Sequence, residues 1–137
     1  MSEPPNDQPF LLNPRAPAGL TRYAHARLIP PCSKTTLYIS GIAAIAPDGE
    51  LGGVATHPDG SWTADIRAQT AAVLRRIEGI IRGASGGGAD LYNIVDAVVY
   101  LTDIKGQYTE APARATVGVR ELPDERFLVE IKATAVF

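Results

Sequence analysis

The closing stretch EAPARATVGVRELPDERFLVEIKATAVF, residues 110–137, decides how this chain is read. In its second half Phe127, Val129, Ile131, Ala133 and Ala135 alternate with Leu128, Glu130, Lys132 and Thr134. A period of two predicts a strand with one apolar face. RATVGV, residues 114–119, alternates in the same way, with Arg114, Thr116 and Gly118 set apart from Ala115, Val117 and Val119. RELPDER, residues 120–126, joins the two; its Pro-Asp suits a turn and its length suits a hairpin. Arg114 and Glu130 are thereby expected on neighbouring strands.

Working outward, NIVDAVVYL at 93–101 is nearly continuous in apolar residues, which predicts a central strand covered on both faces. Upstream, Ile66, Thr70, Val73, Leu74, Ile77, Ile80 and Ile81 recur at helical spacing, while Arg67, Arg75, Arg76 and Glu78 fall elsewhere on the wheel. That is an amphipathic helix suited to lying on a sheet. Thr63 or Asp65 is placed to cap its start, and Gly83 with the glycines at 86–88 to end it. TTLYISGIAAIA, residues 35–46, predicts a strand with Leu37, Ile39 and Gly41 on one face and Tyr38, Ser40 and Ile42 on the other. Another strand is expected near Arg22–Leu28, and residues 47–61 read as turn chemistry throughout. Prolines at 4, 5, 9, 14 and 17 make residues 1–18 an irregular arm, ahead of a single domain over 19–137. The order strand, strand, helix, strand, strand, strand predicts an α+β fold, a mixed sheet with helix packed on one face.

Composition narrows the function. A chain of 137 residues with 45% apolar content suffices for one domain with a core. A formal charge of -2 gives no electrostatic footprint for nucleic acid or an anionic membrane. No apolar run reaches the length of a membrane span. The opening MSEPPNDQPF lacks the pattern of a secretory signal. One cysteine, Cys32, excludes an intramolecular disulfide and a cysteine zinc site, so the expected compartment is the reducing cytoplasm. His25 and His57 are too few for a histidine metal cage. His57, beside Pro58-Asp59-Gly60, is a loop residue; His25 alternates with Tyr23, where it could line a pocket or serve structure. GASGGG at 83–88 follows a helix and lacks the Gly-Lys-Ser/Thr of a phosphate loop, so it reads as a connector.

Arg114 and Glu130 remain as candidates for chemistry. One reading is a cross-strand ion pair on a solvated face. The other starts from the small neighbours Ala113, Ala115, Thr116 and Gly118, which leave room around a guanidinium. A planar fork of donors in a recess suits a small carboxylate, and a nearby glutamate can position or activate a water.

Five segments carry a resemblance: RYAHARLIPPCSKTTLYISG at 22–41, AQTAAVLRRIEGII at 68–81, GADLYNIVDAVVYLTD at 88–103, APARATVGVRELP at 111–123 and VEIKATAV at 129–136. In that order they resemble the RidA/YjgF family of imine and enamine deaminases. YAHAR and the insertion GGVATHPDGSWTADIRAQT, residues 52–70, look like the 2-aminomuconate deaminase branch. The resemblance implies a chorismate-mutase-like fold, a homotrimer and pockets at the subunit interfaces. It implies that Arg114 grips a substrate carboxylate, that Glu130 orients the attacking water, and that Tyr23 and Ser40-Gly41 complete the site. Thr116 and His25 are expected as further substrate contacts. The implied activity is hydrolytic release of ammonia from small enamine or imine carboxylates, 2-aminomuconate favoured over 2-aminoacrylate, with neither metal nor organic cofactor. The alternatives are a non-catalytic binder of small 2-oxo acids and an inactive shortened isoform.

The chain departs from the family at one place. The resemblance implies a second helix between YLTD and PAR, yet only IKGQYTEAP, residues 104–112, lies there. A parallel crossover needs about a dozen residues or more. An extended crossing, exchange of the closing strands with a neighbouring subunit, and a shortened product are the competing accounts.

Overall fold

The computed structural model describes residues 8–10, 26–29, 33–46, 48–103 and 113–137, with backbone alone for 8–10, 26–28, 113 and 114. Its main sheet has four strands: β3 (Thr36–Ile42), β6 (Ile94–Leu101), β7 (Ala113–Gly118) and β8 (Val129–Val136), in the spatial order β3-β8-β6-β7. β8 runs antiparallel to both β3 and β6, and β7 runs parallel to β6. The mixed sheet is as expected, but the closing hairpin is not. β7 and β8 do not pair; β6 lies between them. The turn residues Leu122-Pro123-Asp124 therefore end one strand and lead the chain across β6 before the next. The parallel β6–β7 pair forms within one chain. Residues 104–112, on which the departure from the family was read, lie outside the described residues.

Helix α1 (Ile66–Ala84) covers one face of this sheet. Asp65 is its N-cap, accepting a 3.0 Å hydrogen bond from the Ala68 amide. The helix continues through Gly83 and stops where Gly86 and Gly87 take positive φ. Val73, Ile77 and Ile81 are fully buried against Ile39, Ile42, Val129, Ile131, Ala133 and Ala135. Each such side chain contributes about 1.5–3 kcal/mol relative to exposure. Leu74, read as part of the apolar stripe, is instead 37% exposed, and Gln69 takes a buried place in that stripe.

β6 is an inner strand but alternates: Ala97, Val99 and Leu101 are buried, Val98 and Tyr100 half-buried, and Asp96 exposed. The sheet is thus fully covered on the helix side only, which corrects the expectation of a strand buried on both faces. The segment read as pure turn contains a small hairpin, β4 (Val54–Thr56) with β5 (Trp62–Ala64). His57 opens its turn, donating its amide to the Ser61 carbonyl at 2.8 Å. Within the stretch read as an irregular arm, β1 (Gln8–Phe10) pairs antiparallel with β2 (Ala26–Leu28). Pro9 is tolerated because a two-stranded sheet leaves each strand one free edge.

Candidate functional site

The site begins with a fault in β3. Ile39 pairs with Ala133 and Ile42 with Ile131, so Ser40 and Gly41 together stand opposite the single residue Lys132. Two residues against one is a β-bulge. Its first consequence is in the core: the extra residue returns Ile42 to the side of Ile39, and both are buried. The strict alternation read from the sequence had placed Ile42 with Tyr38 and Ser40.

Its second consequence is on the other face. Glu130 pairs with Tyr100 of β6 and lies on the face away from α1, half-buried. A Cβ built on Gly41 would come within 2.9 Å of both Cδ and Oε2 of Glu130. The missing side chain at 41 therefore gives the glutamate carboxyl its place. Lys132, one step along the same row, donates from Nζ to the Ile39 carbonyl at 3.2 Å. The Glu130 carboxyl makes no hydrogen bond or ion pair among the described residues. Tyr38, 76% exposed, and Thr134 pair across β3 and β8 on this face.

The start of β8 is held from behind. Gln69 is fully buried on α1; its Nε2 donates to the Arg126 carbonyl at 2.7 Å and its Oε1 accepts from the Leu128 amide at 2.8 Å. Two bonds to one stretch of backbone fix the approach to Glu130 from the helix. Gly53 leaves the space for this side chain, since a Cβ there would meet Gln69 Cγ at 2.8 Å. In the preceding turn, hydrogen bonds from the Arg126 guanidinium and amide, with its positive charge, hold the Asp124 carboxyl down to about 2.

The structure brings together only part of the expected site. Gly41 and Glu130 meet at the bulge, of which Ser40 is the other residue. Arg114 is on β7 in register with Ala97, and Thr116 with Val99. Both partners belong to the buried, helix-side row of β6, whereas Glu130 is paired with Tyr100 of the other row. β6 lies between β7 and β8, so positions 114 and 130 are not on adjacent strands, and the Arg114 side chain lies outside what the structure describes. This removes the cross-strand ion pair as a property of adjacent strands. Tyr23 and His25 lie outside the described residues. Lys132 and Gln69 were not foreseen as site residues. An isolated glycine inside a strand, as in Ser40-Gly41, was the available signal for a bulge or a close approach.

A groove of about 590 Å³ lies between α1 and the 44–52 turn, lined by Ala44, Ala72, Arg75, Arg76 and Ile80 among others. It is on the helix side, away from Glu130, and Arg76 is occupied by the Ile45 carbonyl at 3.0 Å.

The family model described as endoribonuclease L-PSP matches residues 13–137. The chain belongs to this family. Solved structures agree in fold. A protein of unknown function of the conserved Rid family, YyfB from Yersinia pestis, is 24% identical with a TM-score of 0.73, over 96% of this chain and 99% of that one. YyfA of the same organism and family is 29% identical with a TM-score of 0.57, over 92% and 96%. RidA from an Antarctic Psychrobacter is 26% identical with a TM-score of 0.57, over 95% and 100%. The α+β, RidA-type fold expected from the sequence is thereby established.

Proposed function

We propose that the chain is a cofactor-independent deaminase of small enamine or imine carboxylates, with 2-aminomuconate-like compounds favoured over 2-aminoacrylate. The observation that carries the reading is the Glu130 carboxyl, seated on the Gly41 bulge without a protein partner among the described residues. In the proposed reaction the enamine first gains a proton on carbon and gives one up from nitrogen, becoming its imine tautomer. Water held by Glu130 then adds across the C=N bond, and the tetrahedral adduct expels ammonia to leave a 2-oxo acid. Fixing water and substrate together removes much of the entropic barrier of a bimolecular step. Proton exchange between the water and Glu130 is the general acid–base component.

Arg114 is proposed to hold the substrate carboxylate through a bidentate pair. With β6 between the strands that carry positions 114 and 130, the complete site is proposed to lie between subunits of a homotrimer, with the arginine of one chain serving the glutamate of the next. Tyr23, His25, Thr116 and Ser40 are proposed as further contacts.

The test is ammonia release from freshly generated 2-aminomuconate and 2-aminoacrylate. The parent accelerates release, and Arg114→Ala and Glu130→Gln each abolish it. Chains of the two variants, co-assembled, regain part of the activity because some interfaces then receive an intact pair. Saturable binding of 2-oxobutanoate without turnover of either imine would replace the deaminase with a binder.

A further inference from the structure

We propose that the groove between α1 and the 44–52 turn is a second ligand site, taking a linear aliphatic monocarboxylate: an apolar chain along the groove, with its carboxylate on Arg75. The site stands apart from Glu130, on the helix side of the sheet.

The groove measures about 590 Å³, within the ordinary span of small-molecule sites. Seven of its nine lining residues are alanine, glycine or isoleucine, and the other two are Arg75 and Arg76. No neutral hydrogen-bonding side chain is among them, so a ligand is recognised by an apolar body and a negative charge.

The helix wall is the stripe Ala72, Arg75, Arg76, Gly79 and Ile80, successive turns of one face of α1. Glycine inside a helix is less stable than alanine, and a Cβ at 79 would meet no described atom within 4 Å. Packing of the described chain therefore does not call for a glycine there; an open groove does. The opposite wall is held in place. A Cβ on Gly52 would come within 2.9 Å of the Ala72 Cβ, so turn and helix are in close contact. Gly52 donates its amide to the Ala44 carbonyl at 2.8 Å, and Arg76 donates from Nη1 to the Ile45 carbonyl at 3.0 Å. The groove is thus formed before a ligand arrives, which lowers the cost of binding.

Charge selects the end of the ligand. Arg76 is tied to the turn, whereas the Arg75 guanidinium makes no hydrogen bond or ion pair among the described residues. Neighbouring acids do not cancel it: Glu78 pairs with Arg82 at 3.3 Å, and Asp48 and Glu50 of the turn do not line the groove. A planar fork of donors matches one carboxylate in bidentate fashion.

Calorimetry on the full chain uses octanoate, butyrate and octylammonium as probes. A fully buried methylene strengthens binding about fourfold, and a half-covered one roughly twofold, so octanoate should exceed butyrate by roughly tenfold or more. Octanoate should also outrank octylammonium. Arg75→Glu should abolish or invert that order, weakening octanoate roughly five- to tenfold at low salt. Gly79→Leu puts a side chain into the groove while favouring the helix, so octanoate binding should be lost with the thermal midpoint kept or raised. Arg75 is exposed, so its variant decides the matter even if Gly79→Leu misfolds. Octanoate bound no better than butyrate would overturn the proposal. An unchanged octanoate-to-octylammonium order in Arg75→Glu, or octanoate binding that survives in folded Gly79→Leu, would put the anion elsewhere and overturn it as well.

Discussion

Replacing Gly41 with alanine asks whether the position of the Glu130 carboxyl, rather than its mere presence, sets the activity. The new methyl would stand 2.9 Å from Cδ, 2.9 Å from Oε2 and 3.3 Å from Cγ of Glu130. Unstrained heavy-atom contacts lie at about 3.5–4.0 Å, so the carboxyl must withdraw by roughly 0.6–1 Å. The glutamate is the flexible partner, and such a shift costs about 0.5–1.5 kcal/mol in rotamer strain. Gly41 does not take positive φ, so its backbone accepts a Cβ. Loss of unfolded-state entropy then stabilises the variant by about 0.4–1 kcal/mol, and the two effects nearly cancel. Activity has no such compensation, since a misplacement near 1 Å costs on the order of 10²-fold. Gly41→Ala should keep the parent urea midpoint while kcat/KM for ammonia release falls by roughly 10- to 100-fold. In a Glu130→Gln background the same change should cost nothing further. Full activity in Gly41→Ala would refute the argument that the bulge seats the working carboxylate. A loss of several kcal/mol in stability would show that the strand, not the side chain, absorbs the methyl.

Two further changes probe the supports of the site. Gln69→Leu leaves the Arg126 carbonyl and the Leu128 amide without their buried partner, and should lower stability by about 2–5 kcal/mol in urea titrations with an unchanged slope. Asp124 has a folded pKa of about 2, below its ordinary 3.8, so its contribution is present above that ordinary value and lost as pH falls through about 2. Asp124→Asn should therefore flatten the acid limb of the stability profile between those values, measured by thermal melting as a function of pH.

The four strands of the main sheet and the helix were legible because each follows from a local period, and Asp65 was one of two candidate caps, whereas β1 and the β4–β5 hairpin fell in or beside stretches read as arm and turn. Val73, Ile77 and Ile81 share a helical face, and Val129, Ile131, Ala133 and Ala135 share a strand face, whatever lies elsewhere. Strand order was not legible, because the turn at 120–126 satisfies a hairpin as well as a crossing over β6, and the choice depends on which partner the edge of β6 prefers. Glu130 stood out as a charge within an apolar strand, but the seat it occupies depends on a bulge in β3, far away in sequence. Gln69 looked like one polar position on an amphipathic helix; it is buried because its amide substitutes for a strand partner at residues 126 and 128. Family membership rests on segment order across 13–137, a property no single motif carries.

No helix among the described residues is long and apolar enough to cross a membrane. The most direct measurement is the initial rate of ammonia release from a freshly generated enamine carboxylate, parent against Glu130→Gln at equal folded concentration. The account predicts acceleration by the parent and a background rate with the variant. Equal rates for the two, with both chains folded, would contradict it.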